Sequence, residues 1–241
     1  MIKIENLSCH FKEKSVLENV SLNIKNHLCI LGANGSGKST LAKAISSLVA
    51  FNGSIFIGDE KSEKLSLKER AKLLSYIPAK LEIYDTFMSV DEFVLLGRFA
   101  YKKSLFDYSK SDKTIADGSI KLLKIEHLRE SSISSLSSGE QQLVLIAQAL
   151  TQQSKIIIFD EPTANLDPHN SKIIAEHIKG LKEYHQIILI THDLHLASYI
   201  DMPVVFIKEK TTHYFEDGFF DDANLQKLYG VKFKNLSVTY D

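Results

Sequence analysis

A glycine-rich segment contains the first residues whose types and spacing suit a chemical task. Residues 32–39 read GANGSGKS and fit the pattern GxxxxGK followed by Ser or Thr. The glycines let backbone N–H groups wrap a phosphate, Lys38 would reach the β- and γ-phosphates, and Ser39 would offer its hydroxyl to Mg²⁺. The pattern therefore predicts a nucleotide-phosphate site with Lys38 in a catalytic role. Its predicted contact residues are Asn34, Gly35, Ser36, Gly37, Lys38, Ser39 and Thr40.

Two adjacent acids provide the second chemical feature. Asp160 and Glu161 directly follow the apolar run 156–159. An acid at the end of a sheet strand stands beside the phosphate loop in a P-loop fold, so Asp160 is expected to hold the metal. Glu161 would then lie near the γ-phosphate and act as a general base on the attacking water. The alternative is a solvated acidic turn, which the nearby phosphate loop disfavours.

The elements that must position these residues follow from the apolar pattern. The apolar runs 27–31, 156–159, 186–190 and 204–208 have the length of buried strands, and helix-like segments lie between them. This alternation predicts an α/β fold with a mainly parallel sheet. Ile2 and Ile4, then Val20, Leu22 and Ile24, alternate with polar residues and predict N-terminal strands. A single domain over 1–241 is expected, with a helical subdomain at about 79–150 inserted in the α/β core.

Composition narrows the function classes. The 241 residues are 44% hydrophobic and 24% charged, with a net charge of -1. This balance implies no strongly basic face, so no nucleic-acid partner is expected. Cys9 and Cys29 form no metal-binding spacing and are interpreted as reduced thiols. The apolar runs are much shorter than the roughly 20 residues of a membrane helix, so any membrane role needs a separate membrane protein.

A third motif gives the chain a family resemblance. Residues 136–142, LSSGEQQ, resemble the signature sequence of ABC ATPases, usually LSGGQ or LSGGE. Residues 160–163 and 164–167 look like that family's acidic strand end and D-loop, and His192 looks like its switch histidine. The ordered motifs cover essentially the whole chain, and the resemblance implies the ABC ATPase form of the P-loop NTPase fold.

The resemblance also implies a mechanism. Two copies would pack head to tail, with ATP held between one copy's phosphate loop and the other copy's Ser137, Gly139 and Glu140. ATP and Mg²⁺ would be the cofactors, and His192 would contact the γ-phosphate and orient the water. Phe11 stands where the family usually stacks an aromatic ring on adenine, although packing in the core is an open alternative.

Two positions depart from the family pattern. Ala79 stands where the family usually has a glutamine that contacts Mg²⁺ and the attacking water, so slower hydrolysis or looser coupling is expected. Ser138 replaces a usual glycine, which is tolerable if its backbone is helical, because only a positive φ demands glycine.

Two further segments suggest that the chain serves an importer. Residues 89–98 and 224–231 resemble importers for iron–siderophore complexes, haem and cobalamin. The implied partners are a second copy, polytopic permease subunits and, indirectly, a substrate-binding protein, and the implied location is cytoplasmic, on the inner face of the cell membrane. Two alternatives stay open: a non-transport ABC ATPase, or a nucleotide-binding subunit with weak hydrolysis.

Overall fold

The computed structural model describes residues 1–12, 14–81, 87–102 and 107–230. Its strands are β1 (Ile2–Phe11), β2 (Lys14–Ile24), β3 (Leu28–Gly32), β4 (Asn52–Ile57), β5 (Glu60–Lys61), β6 (Leu74–Ile77), β7 (Ile156–Asp160), β8 (Gln186–Ile190), β9 (Val204–Lys208) and β10 (Thr211–Phe215). Its α-helices are α1 (Lys38–Ile45), α2 (Leu67–Leu73), α3 (Val90–Leu95), α4 (Lys110–Leu122), α5 (Ser138–Thr151), α6 (Pro168–Leu181), α7 (Leu194–Ile200) and α8 (Asp222–Tyr229).

The chain divides into two compact units. The first comprises Met1–Leu65, Ile158–Glu161 and Gln186–Asp241, and the second comprises Ser66–Ile157 and Pro162–His185. The predicted helical subdomain at about 79–150 lies within the second unit, and the assignment of the whole chain to one domain stays a prediction.

The first unit contains an antiparallel sheet at the N-terminus. Its strand order is β2-β1-β4-β5, and β1 pairs antiparallel with both β2 and β4. Ile2, Ile4, Leu7 and Cys9 of β1 are buried, and polar residues lie between them. This alternation is what a strand with one buried face requires.

The first unit also contains most of a second sheet, in which β9 and β10 pair antiparallel and β3 pairs parallel with β8 and β9. Its strands are hydrogen-bonded in the order β10, β9, β3, β8 and β7. Of β7 and the residue after it, this unit contains Ile158–Glu161. Every residue of β3 and β7 is buried. Strands covered on both faces read as continuous apolar runs, which explains why the sequence shows them without alternation.

Helices dominate the second unit. α5 packs against α3, α4 and α6, and it buries most of its apolar side chains. Four helices, α2, α3, α4 and α5, begin with a serine whose side chain and an acid three residues later cap each other reciprocally. The structure has no helix, within its described ranges, long and apolar enough to cross a membrane.

Candidate functional site

The phosphate loop connects β3 to α1 and needs glycine at specific points. Gly37 has φ 104, and Gly32 has φ 154, both in the region that disfavours side chains. A Cβ on Gly32 would lie 2.7 Å from the Ile207 carbonyl oxygen and 2.7 Å from Ser36 Oγ. Only glycine therefore allows the loop to turn this tightly beside β9.

The lysine of this loop is held by the loop itself. Lys38 is 5% exposed, and its Nζ donates to the carbonyl oxygens of Gly32 at 2.9 Å and Ala33 at 3.2 Å. Glu161 Oε1 lies 3.6 Å away. Because a buried charge requires partners, these contacts fix the ammonium beside the loop. Ser36 Oγ is buried and has no hydrogen-bond partner among the residues that the structure describes. The loop therefore offers a cation and an unsatisfied hydroxyl, which together fit a phosphate.

A hydroxyl and a carboxylate meet at the start of α1. Ser39 Oγ donates to Asp160 Oδ1 at 2.8 Å, and Asp160 is 3% exposed at the end of β7. Mg²⁺ prefers oxygen ligands of these two kinds. The pair therefore fits a magnesium site, and the structure brings together the two residues predicted to form it.

Glu161 lies between a lysine and a histidine. Its Oε2 accepts a hydrogen bond from the His192 backbone N–H at 3.2 Å and lies 2.8 Å from His192 Nδ1. Its own backbone N–H donates to the Ile190 carbonyl oxygen at 2.8 Å, which anchors it to the end of β8. Glu161 has φ 51, a left-handed conformation that strains a residue with a side chain. Backbone and side chain thus hold one carboxylate in a fixed position, as a general base requires.

The charge of Glu161 also affects a neighbouring thiol. Burial, and secondarily this charge, raise the pKa of Cys29 far above its usual range. The thiol therefore stays protonated and unreactive at neutral pH. Both cysteines are buried and unpaired, as the sequence predicts.

The signature segment lies in the second unit, at the start of α5. Ser137 is the N-cap residue, and its Oγ donates to Glu140 Oε2 at 2.6 Å. Glu140 Oε2 also accepts the Ser137 N–H at 2.8 Å, and the hydrogen bonds from Ser137 lower the pKa of Glu140. Ser137 and Ser138 are exposed, whereas Gly139 is buried. Ser138 is helical, so a serine is acceptable there.

The other predicted residues occupy varied positions. Phe11 ends β1 with 50% of its surface exposed, so the alternative that it packs in the core is wrong. Asn34 and Gly35 lie on the exposed side of the loop, and Thr40 lies in the first turn of α1. Ala79 follows β6. Residues 224–230 fall largely in α8, whereas Val231 lies outside the described residues.

One contact was not predicted from the sequence. The side chain of Asn170 lies against Gly139, where the α-carbon carries no Cβ. The sequence carries no local signal for this contact, because the contact depends on how α6 packs on α5.

The comparison with known families decides the identity. A family model described as ABC transporter matches residues 17–164, which include the phosphate loop, the signature segment and both acids. The chain belongs to the ABC transporter family. This result confirms the predicted ABC ATPase fold and assigns the chain an ABC ATPase domain.

Relatives of this ABC ATPase carry transport names. A Helicobacter pylori protein named "Probable iron chelatin transport ATP-binding protein" is 34% identical over 218 residues, covering 87% of this chain and 84% of the relative. A manganese transport system ATP-binding protein of Halalkalibacterium halodurans is 31% identical over 214 residues, with coverages of 87% and 84%.

A solved structure of an ATP-binding cassette is also similar to this ABC ATPase. It is a dimeric, post-hydrolysis state bound to ADP and Pi, and its TM-score is 0.77 at 27% identity, covering 91% of this chain and 100% of that one.

Proposed function

We propose that this ABC ATPase energises an importer for iron–siderophore complexes, haem, cobalamin or a related metal complex. The observation that carries the ATP-driven part of the proposal is Glu161, held between Lys38 and His192 beside the Ser39–Asp160 pair. The transport names of the relatives, one for iron chelatin and one for manganese, support a metal-related cargo.

The chemistry assigns one task to each side chain. Lys38 exchanges its carbonyl partners for phosphate oxygens and offsets their charge. Ser39 and Asp160 would hold Mg²⁺, which supplies further neutralisation when bound. Glu161 accepts the proton of the attacking water, and His192, hydrogen-bonded to the same carboxylate oxygen, orients that water toward the γ-phosphate.

A second copy completes the nucleotide site in this proposal. Exposed Ser137 at the N-terminus of α5, followed by Gly139 and Glu140, would face the γ-phosphate of ATP held by the other copy. Phe11, half-exposed, would stack on the adenine. The similar solved structure, a dimeric cassette bound to ADP and Pi, supports the pairing of two copies.

Permease subunits are the proposed membrane partners. Leu67, Leu96 and Phe99 are exposed and line one groove of the second unit together with Ala71 and Ala100. An exposed apolar patch of this kind is typical of a protein–protein contact. Docking of permease helices here would place the chain on the cytoplasmic face of the membrane, and a substrate-binding protein would act only through the permease.

Uptake by cells tests the proposed function. In cells lacking the chromosomal copy, uptake of a radiolabelled iron chelate is expected to return with the wild-type chain but not with Lys38→Ala. Lys43→Ala, which changes an exposed lysine in the last turn of α1, is the matched control. Uptake that is independent of the chain would refute the cargo, and full uptake with Lys38→Ala would refute the role of the phosphate loop.

A further inference from the structure

Gly139 in the signature segment is pressed against another side chain of the same chain. A Cβ built on Gly139 would lie 2.7 Å from Asn170 Cγ, 2.8 Å from Oδ1 and 3.1 Å from Nδ2. The amide of Asn170 therefore lies directly over the α-carbon of Gly139. Real Cβ atoms essentially never approach other heavy atoms this closely, so an alanine would have to displace the amide or α5.

The backbone of Gly139 does not itself demand glycine. Gly139 lies in the first turn of α5, and it is absent from the residues with positive φ. It is buried, whereas Ser137 and Ser138 beside it are exposed. The requirement for glycine therefore comes from the neighbour that covers the α-carbon, and that neighbour is Asn170.

Asn170 is itself held in place. Its Nδ2 donates to Asp167 Oδ2 at 2.5 Å, and its backbone N–H donates to Asp167 Oδ1 at 3.0 Å. Asp167 is the N-cap residue of α6 and ends the segment 164–167 that follows the acidic strand. The amide cannot move away from Gly139 without losing its bond to this carboxylate.

We propose that Asn170 is a positioning residue that fixes the first turn of α5, and that Gly139 is required because Asn170 packs on it. In this role Asn170 sets the direction in which Ser137 presents its hydroxyl to ATP on the second copy. The inference rests on the proposed sandwich of two copies. The alternative explanation for glycine at position 139 is that a side chain there would collide with the nucleotide.

Paired variants distinguish the two views. In a Glu161→Gln background, Gly139→Ala is expected to weaken ATP-dependent dimerisation by at least about tenfold, because overpacking shifts the helix turn. Asn170→Ala should weaken it a few-fold. The double variant should recover to the level of Asn170→Ala, because the atoms that the new Cβ would meet are gone. ADP binding to the monomer should stay unchanged in all three.

Gly180→Ala is the control for adding a methyl group to a helical glycine. Gly180 lies in α6, and apart from its own helix backbone no atom of the described residues lies within 4 Å of its Cβ position, so dimerisation should not change. A double variant no better than Gly139→Ala, or an Asn170→Ala chain that dimerises like its parent, would overturn the inference alone. A parent chain that never dimerises with ATP would overturn the proposed function, and this inference with it.

Discussion

The backbone and the side chain of Glu161 are both fixed by contacts with neighbouring residues. Its left-handed backbone costs about 1–3 kcal/mol and persists because the Ile190 carbonyl and the His192 N–H fix it on both sides. The Glu161 carboxylate is thereby held 3.6 Å from Lys38 Nζ. In the proposed role of Glu161 as general base, this side chain would therefore need little rearrangement for proton transfer.

Ala79 allows a prediction at the residue scale. The family resemblance implies a glutamine at this position that contacts the metal and the water, so under the proposed function Ala79→Gln is expected to raise steady-state ATP turnover several-fold. Lys80→Gln places the same side chain one residue later, at an exposed position, and should leave turnover unchanged. Turnover is measured by phosphate release. Equal rates for both variants and the wild type would show that position 79 does not limit hydrolysis.

The sequence predicted which polar and charged residues of the first unit would lie close together. These residues lie at or just after the ends of β3, β7 and β8, and the ends of neighbouring strands bring their side chains together. They are Lys38, Ser39, Asp160, Glu161 and His192. The contact of Asn170 with Gly139 could not be predicted in the same way. It depends on the packing of α6 on α5, and packing of this kind leaves no local pattern in the sequence.

At the element scale, the capping acid of α4 has a second role. Asp112 Oδ2 accepts from Ser109, and its Oδ1 accepts from Arg98 Nε at 2.8 Å. Arg98 is buried and also donates to the Thr151 carbonyl oxygen. The helix cap and a buried ion pair thus share one carboxylate, which ties α4 to the segment after α3 and to the end of α5.

Removal of this carboxylate should destabilise the chain. Asp112→Ala is expected to lower the free energy of unfolding by about 3 kcal/mol, because it leaves a buried guanidinium without its counter-charge. Glu18→Gln breaks an ion pair with Lys210 in which both side chains are about half exposed, and should have no measurable effect. Urea unfolding measures both. Equal midpoints for Asp112→Ala and the wild type would contradict the assignment.

The same carboxylate predicts a pH dependence. Hydrogen bonds from Ser109 and then Arg98 hold the pKa of Asp112 below its usual 3.8. Because the folded pKa is below the unfolded one, the stabilisation is present at neutral pH and is lost as pH falls through the folded pKa. The difference in stability between the wild type and Asp112→Ala should therefore shrink in acid, and a constant difference down to strongly acidic pH would contradict this.

Element boundaries were predictable where local signals exist. α3 begins at a capping box formed by Ser89 and Glu92, which is a local signal, and it ends at Leu95, where a 3-10 turn over Leu96–Tyr101 continues the segment. β10 was not predicted. Its hairpin turn places Glu209 and Lys210 at positive φ, with none of the Asn-Gly or Asp-Gly pairs that mark such turns in a sequence.

At the scale of the whole molecule, the proposed function depends on a membrane partner that would use ATP hydrolysis to move a cargo. The family could be predicted because its motifs occur in a fixed order along the chain. The cargo class was predicted only from the resemblance of residues 89–98 and 224–231 to importers, and it stays a proposal. The exposed groove around Phe99 is the proposed place where a membrane partner would bind.

This patch gives a testable prediction. Phe99 is 63% exposed, and Phe99→Ser is expected to reduce copurification with polytopic membrane subunits several-fold, since an apolar contact is lost. Tyr184→Ser is the control, because Tyr184 is 78% exposed in the same unit but outside the patch. Quantitative mass spectrometry of tagged preparations measures both. Equal recovery with the two variants would place the docking surface elsewhere.

The most direct test of the central claim is steady-state Mg-ATP turnover of the purified chain and of Glu161→Gln, with dimerisation followed by light scattering. The proposed mechanism predicts that the wild type hydrolyses ATP, that the variant is slower by roughly 10²–10⁴-fold, and that ATP traps the variant as a dimer. A variant that turns over like the wild type, or that stays monomeric with saturating ATP, would contradict the assignment of Glu161 as the general base of an ATP-closed dimer.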